Sequence, residues 1–168
     1  MTVSLHNVSV PVFTQGLAAL LKVLTKAEAH VAAKTLDPAS LLQARLYPDM
    51  FPFVRQVNLA CEFAKGAVAR MAGDEVPGWD DPEPSFEALK ARVQKTLDYL
   101  AAAEAGRIDG QEGRDIVLVR RGVESVVKAQ AYLLEQAQPN FYFHLTTAYA
   151  ILRHNGVEIG KKDFLGTA

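Results

Sequence analysis

The sequence predicts an all-α fold, a four-helix bundle in one domain over residues 1–168, and three observations carry that expectation. Four segments repeat apolar residues at spacings of three and four, each marking one buried stripe on a helix. The connections between them run to about ten residues or more, long enough to alter the crossovers of a simple up-down bundle. The composition, 49% hydrophobic and 22% charged in 168 residues, suits one globular domain and leaves no room for a second of ordinary size.

The same numbers exclude several function classes. Eighteen basic against nineteen acidic residues give a net charge of -1, so no electrostatic footprint for nucleic acid is present. Apolar runs such as Leu17-Ala18-Ala19-Leu20-Leu21 break at Lys22, too early for a membrane span. No Lys or Arg precedes Lys22, so a basic signal-peptide start is lacking and the expected compartment is the cytoplasm. The single cysteine, Cys61, excludes an internal disulfide or a zinc site built on several thiolates.

In the first helix the stripe is Phe13, Leu17, Leu20, Leu24, Ala27 and Val31; Ser9 and Pro11 suit its start, and Thr35-Leu36-Asp37-Pro38 its end. The second opens at Pro48-Asp49-Met50, with Pro52 in its first turn. It buries Phe53, Val57, Ala60, Cys61, Ala64, Val68 and Met71, and ends at Gly73 as a C-terminal cap. A proline-containing loop over residues 74–84 carries the sole tryptophan, Trp79. The third helix buries Phe86, Leu89, Val93, Leu97 and Leu100 behind an N-cap at Ser85.

Residues 106–113 read as a loop. The period then changes: two β-branched runs, residues 115–119 and 123–127, flank Arg120-Arg121-Gly122 as a small β-hairpin, unless Val123 onward extends the next helix. The fourth helix, residues 130–154, has the stripe Leu133, Ala137, Phe141, Ala148 and Ile151, and Pro139 within it should kink it. All four helices are expected to exceed twenty residues. The tail after Val157 shows no period.

Polar residues on the apolar faces are the candidates for function. Asn140 and His144, four apart, share the buried face of the fourth helix, and Gln56 sits among Phe53, Val57 and Ala60 on the second. A buried amide or imidazole left unpaired costs roughly 1–3 kcal/mol, so such groups have partners or a function. One reading is a ligand or metal site in the bundle; the other is a satisfied hydrogen-bond network. Two amides beside one imidazole bind transition metals weakly.

The remaining candidates have plainer roles. His30 reads as a boundary residue, His154 as a complement to the helix dipole, and His6 as part of an N-terminal segment that could fold over the bundle mouth. Cys61 lies on an apolar stripe with nothing to activate it. Arg45, Tyr47 and Asp49 form either a binding rim or a loop-anchoring salt bridge, and the Arg120-Arg121 and Lys161-Lys162 doublets read as solvated. No phosphate loop, nucleophile elbow or HExxH motif occurs.

Several stretches resemble DUF1993, a bacterial family of unknown function. They are Leu46-Tyr47-Pro48-Asp49-Met50-Phe51-Pro52, Gln56-Val57, Phe63-Ala64-Lys65-Gly66, and above all Pro139-Asn140-Phe141-Tyr142-Phe143-His144-Leu145-Thr146-Thr147-Ala148-Tyr149 with its continuation to Gly166. That family is similar to the DinB/YfiT-like metalloenzymes, four-helix bundles with a long crossover that are commonly dimeric. The resemblance therefore implies a homodimer. It also implies a site in which one histidine of the second helix and an HxxxH pair of the last hold a divalent metal (Zn, Ni, Fe or Mn), as in thiol-dependent transferases and isomerases. By position the pair falls on Asn140 and His144, and the third ligand near Gln56. Two of three imidazoles are amides, so the resemblance implies the fold and pocket but a degenerate metal site, with His144 its main remaining ligand.

Three functional expectations follow. In the first, Gln56, Asn140 and His144 bind a small polar ligand, with His144 as candidate catalytic base. In the second, the protein is a non-catalytic dimeric structural or interaction protein and the three residues form a core network. The third is a metal-dependent, thiol-linked transferase or isomerase. No nucleic-acid or membrane partner is expected.

Overall fold

The computed structural model describes residues 3–80 and 84–167. Its main helices are α1 (Val10–Ala33), α3 (Phe53–Ala72), α4 (Phe86–Ala101) and α7 (Gln138–His154), with short helices α2 (Pro38–Leu42), α5 (Ala105–Ile108), α6 (Ala129–Tyr132) and α8 (Lys161–Leu165). Strands β1 (Asp115–Arg120) and β2 (Val123–Lys128) form one antiparallel hairpin. A mainly helical bundle with a hairpin ahead of the last helix is thus the observed architecture.

The connectivity is not a simple up-and-down ring. α1 and α4 pack chiefly on each other, α4 packs next on α3, and α3 packs chiefly on α7. Consecutive main helices α1 and α3, like α4 and α7, are not each other's principal neighbours, so residues 34–52 and 102–128 are the crossovers. Phe13, Leu17, Leu24, Phe53, Val57, Phe141 and Ile151 are fully buried where the stripes converge. α1 and α7 approach closely at Gly16, where a Cβ would lie 2.8 Å from the Phe141 ring. Phe13 meets the same ring edge-on at 4.9 Å.

Helix ends follow local chemistry. The Ser85 hydroxyl accepts the Ala88 N–H at 3.0 Å, and Gly73, at φ +81°, closes α3 in the left-handed region. The hairpin turns through Arg121 (φ 51°) and Gly122 (φ 78°), both left-handed as a tight two-residue turn requires. Ile116 and Leu118 face the core, whereas Val117, Val119 and Val126 stay exposed on the outer face.

Three expectations need correction, and a fourth is refined. The second helix begins at Phe53 and not at residues 48–50, because Pro52 is extended (ψ 165°) as its N-cap. Two of the four helices, α3 and α4, reach only 20 and 16 residues, against the 24 of α1; the fourth runs unbroken over residues 129–154 as α6, a π-helical turn and α7. Segments read as loop or tail contain α2, α5 and α8. Finally, the fourth helix contains Pro139 as expected but departs from α geometry just ahead of it, at a π-helical turn over Leu133–Ala137. There the Gln138 N–H reaches the Leu133 carbonyl, a five-residue step that absorbs the proline's missing donor. Residues 81–83 of the predicted proline-containing loop lie outside the described residues.

Candidate functional site

α3 and α7 make the most extensive helix pair of the bundle, and that contact places Gln56 against His144. Both are buried, at 1% and 7% exposure, so their hydrogen bonds are obligatory. The His144 ring nitrogen Nδ1 and Gln56 Oε1 are 2.7 Å apart, and Gln56 Nε2 donates to the Phe51 carbonyl at 3.0 Å. The second bond orients the first. A carbonyl only accepts, so the amide nitrogen must face Phe51 and the amide oxygen must face His144. The bonded ring nitrogen is then an N–H donor, and neutral His144 carries its lone pair on Nε2.

Electrostatics favour that neutral form. Burial holds the His144 pKa below its ordinary value, and the Arg55 charge pushes it the same way. Phe63 stacks on the imidazole at 5.5 Å and Phe143 meets it edge-on at 5.3 Å. Nε2 takes no hydrogen bond from any described residue and is not among the fully buried unpaired polar atoms. The imidazole is oriented at one nitrogen and open at the other, as a base or ligand-contacting histidine requires.

Asn140 does not join this pair. Its Nδ2 turns back one helical turn to the Gln136 carbonyl at 2.7 Å, inside the π-helical segment. It lines instead a cleft of about 400 Å³ with Phe63, Arg70, Leu118, Val119 and Tyr132, between α3, α6, α7 and the hairpin. Phe63 belongs to both places, lining the cleft and stacking on His144. Sequence reasoning missed Arg70 and Tyr132. The Gly66 and Arg70 pair, one turn apart on α3, was the available signal.

The three positions do not fit a three-imidazole metal centre. A direct contact of 2.7 Å between Gln56 Oε1 and His144 Nδ1 is shorter than the separation of about 3.3 Å between two ligands on a tetrahedral ion with ~2.0–2.1 Å bonds. The Gln56 and Asn140 amide nitrogens are turned to carbonyls, and neutral amide oxygens are weak donors to transition metals. Among the described residues no group of three or more His, Cys, Asp or Glu side chains converges.

The other candidates have local roles. Cys61 is fully buried, and burial pushes its thiol pKa up to about 11, which leaves it unreactive. The backbone N–H of His6 donates to the Asp109 carboxylate, and His6 lies in a segment anchored by buried Leu5. His30 is half-buried and His154 exposed in the last turn of α7. Arg45 anchors its loop through the Met50 carbonyl, while Tyr47 is 67% exposed.

A cation cluster that sequence reasoning also missed surrounds Trp79. Lys65, Lys95 and Arg92 lie 4.3, 4.6 and 5.2 Å from its ring, and Glu62 bridges Lys65 at 2.7 Å and Arg92 at 2.8 Å. Its partners are internal, so it ties the loop after α3 to the bundle.

Comparison with known proteins places this geometry in a family. No curated protein matches the chain. A solved structure of a DinB family member protein from Shewanella denitrificans is 38% identical, with a TM-score of 0.88, and the match covers 98% of this chain and 93% of that one. The family model for DUF1993, a domain of unknown function, matches residues 5–165. The chain belongs to the DUF1993 family, and its fold is the DinB-like helical bundle.

Proposed function

We propose that this protein binds a small polar ligand, without a metal, in the cleft lined by Asn140 and Phe63, with the open Nε2 of His144, whose ring stacks on Phe63, as an acceptor or general base. The bond between His144 Nδ1 and Gln56 carries the reading, because it fixes the tautomer and occupies the edge that a shared ion would span. The shift of the His144 pKa keeps the base unprotonated at neutral pH. Enzyme activity, if the ligand is a substrate, is proton transfer at Nε2, with Gln56 stabilising the Nδ1–H side of the ring.

The test is protein-observed NMR of the chelated protein against a set of small neutral and charged polar fragments. Movement of the Asn140 side-chain amide, Phe63 and the His144 ring is expected, unchanged by added Zn. Binding should weaken in His144→Ala while the fold is retained. A fragment set that leaves these resonances unmoved overturns the reading. So does near-stoichiometric metal in elemental analysis that is lost in His144→Ala and required for binding.

One observation favours a second reading, a non-catalytic dimeric interaction protein. The hairpin exposes Val117, Val119 and Val126 at 55–64% on one face, an apolar patch of the kind that meets a partner. Light scattering distinguishes this reading: a dimer dissociated by Val117→Lys with Val126→Lys supports it, and a monomer refutes it.

A further inference from the structure

We infer that Arg70 makes the cleft a carboxylate site, selecting small carboxylates with an apolar body. The inference rests on the cleft being the ligand site. Arg70 Nη1 donates to the Gly66 carbonyl and to the Tyr132 hydroxyl, each at 3.1 Å, and its Cζ lies 5.7 Å from the Tyr132 ring centre. These contacts hold the guanidinium in place without neutralising it. Among the described residues no carboxylate pairs with Arg70, in contrast to Arg107 with Asp74 and Arg92 with Glu62.

The Nη2 and Nε groups take no described acceptor. That edge of the fork offers two parallel N–H donors, the arrangement that a planar carboxylate accepts. Gly66 is part of the device. A Cβ there would lie 2.6 Å from Arg70 Nη1, so the guanidinium folds against α3 only because residue 66 is glycine.

The rest of the cleft sets the body of the ligand. Phe63 and Leu118 provide apolar wall, and Asn140, whose Nδ2 is turned to Gln136, presents its Oδ1 as acceptor. An anion with no apolar part leaves that wall wet, which disfavours inorganic phosphate. The net charge of -1 supplies no general attraction for anions, so recognition must be local.

The probes are 3-phenylpropionate, its neutral carboxamide and inorganic phosphate, titrated at constant ionic strength and followed by the Arg70 Nε–H and Asn140 amide signals. The carboxylate should bind about tenfold or more tightly than the carboxamide, with phosphate weaker than the carboxylate. Arg70→Gln should abolish that preference. Gly66→Ala, which keeps the charge and removes a helix-interior glycine, should also weaken carboxylate binding without lowering the melting temperature. That second variant separates displacement of the guanidinium from any loss of fold in Arg70→Gln.

Equal affinity for carboxylate and carboxamide, or a carboxylate affinity unchanged in Arg70→Gln and Gly66→Ala, overturns the inference and leaves the ligand reading standing. So does phosphate binding more tightly than the carboxylate. No response to the carboxylate also overturns it, whereas the ligand reading falls only if the broader fragment set leaves the cleft unmoved as well.

Discussion

Replacing Gln56 with leucine tests the buried pair by removing one partner at nearly constant volume. The change strands the His144 Nδ1–H, in a residue only 7% exposed, and frees the Phe51 carbonyl, which belongs to a 54% exposed residue and rehydrates readily. An unsatisfied buried polar group costs about 1–3 kcal/mol, so the stranded imidazole dominates and the carbonyl adds little. A net loss of about 2 kcal/mol corresponds to about 4–8 °C in melting temperature for a chain of this size. Urea denaturation of Gln56→Leu, His144→Phe and the double variant measures the coupling directly. The double variant, with both partners apolar, should recover about 1–2 kcal/mol relative to the sum of the singles. A single-variant loss below about 0.5 kcal/mol, or strict additivity, would refute a buried hydrogen-bonded pair.

Three further outcomes follow from the same contacts. Because the folded-state pKa of His144 lies below its unfolded value of 6.5, the unfolded chain binds the proton more readily; its contribution to stability is full above pH 6.5 and is lost as pH falls toward the folded pKa. His144→Phe should therefore flatten the acid side of the stability profile measured by denaturant titration. Lys65→Met leaves the stem in place but removes the bonds to Glu62 and the Pro77 carbonyl and the contact with Trp79. Since Glu62 keeps Arg92, the expected loss is about 2–3 kcal/mol, with a changed emission from the sole tryptophan; an unchanged spectrum and stability would contradict the cluster's role. Gly73→Ala, at φ +81°, should lower stability by about 1–2 kcal/mol in thermal melts.

The bundle was legible because long helices print their buried stripes in sequence. Ser85 and Gly73 marked helix ends for the same local reason. Short elements were less legible: α2 follows Asp37, whose side chain caps it, but five residues hold no period. The hairpin turn carries Arg121-Gly122 in place of Asn-Gly, so its left-handed first position had no strong signature.

At the candidate site, Gln56 and His144 stood out as polar groups on apolar stripes. Asn140 shares that spacing with His144, but the π-helical turn before Pro139 offers it a carbonyl that periodicity does not reveal. Arg70 and Tyr132 meet across 62 residues, and the Trp79 cluster joins α3, α4 and a loop. Such contacts depend on how helices cross, which no local window encodes.

Gln56 fixes His144 as the neutral Nδ1–H tautomer, with Nε2 open to a ligand. Long-range proton–nitrogen correlation of the His144 ring, recorded at neutral pH with and without added Zn, tests this most directly. A protonated Nδ1 and an unprotonated Nε2, unshifted by the metal and altered in Gln56→Leu, are the expected result. A ring protonated at Nε2, or an Nε2 signal captured stoichiometrically by Zn, would contradict it.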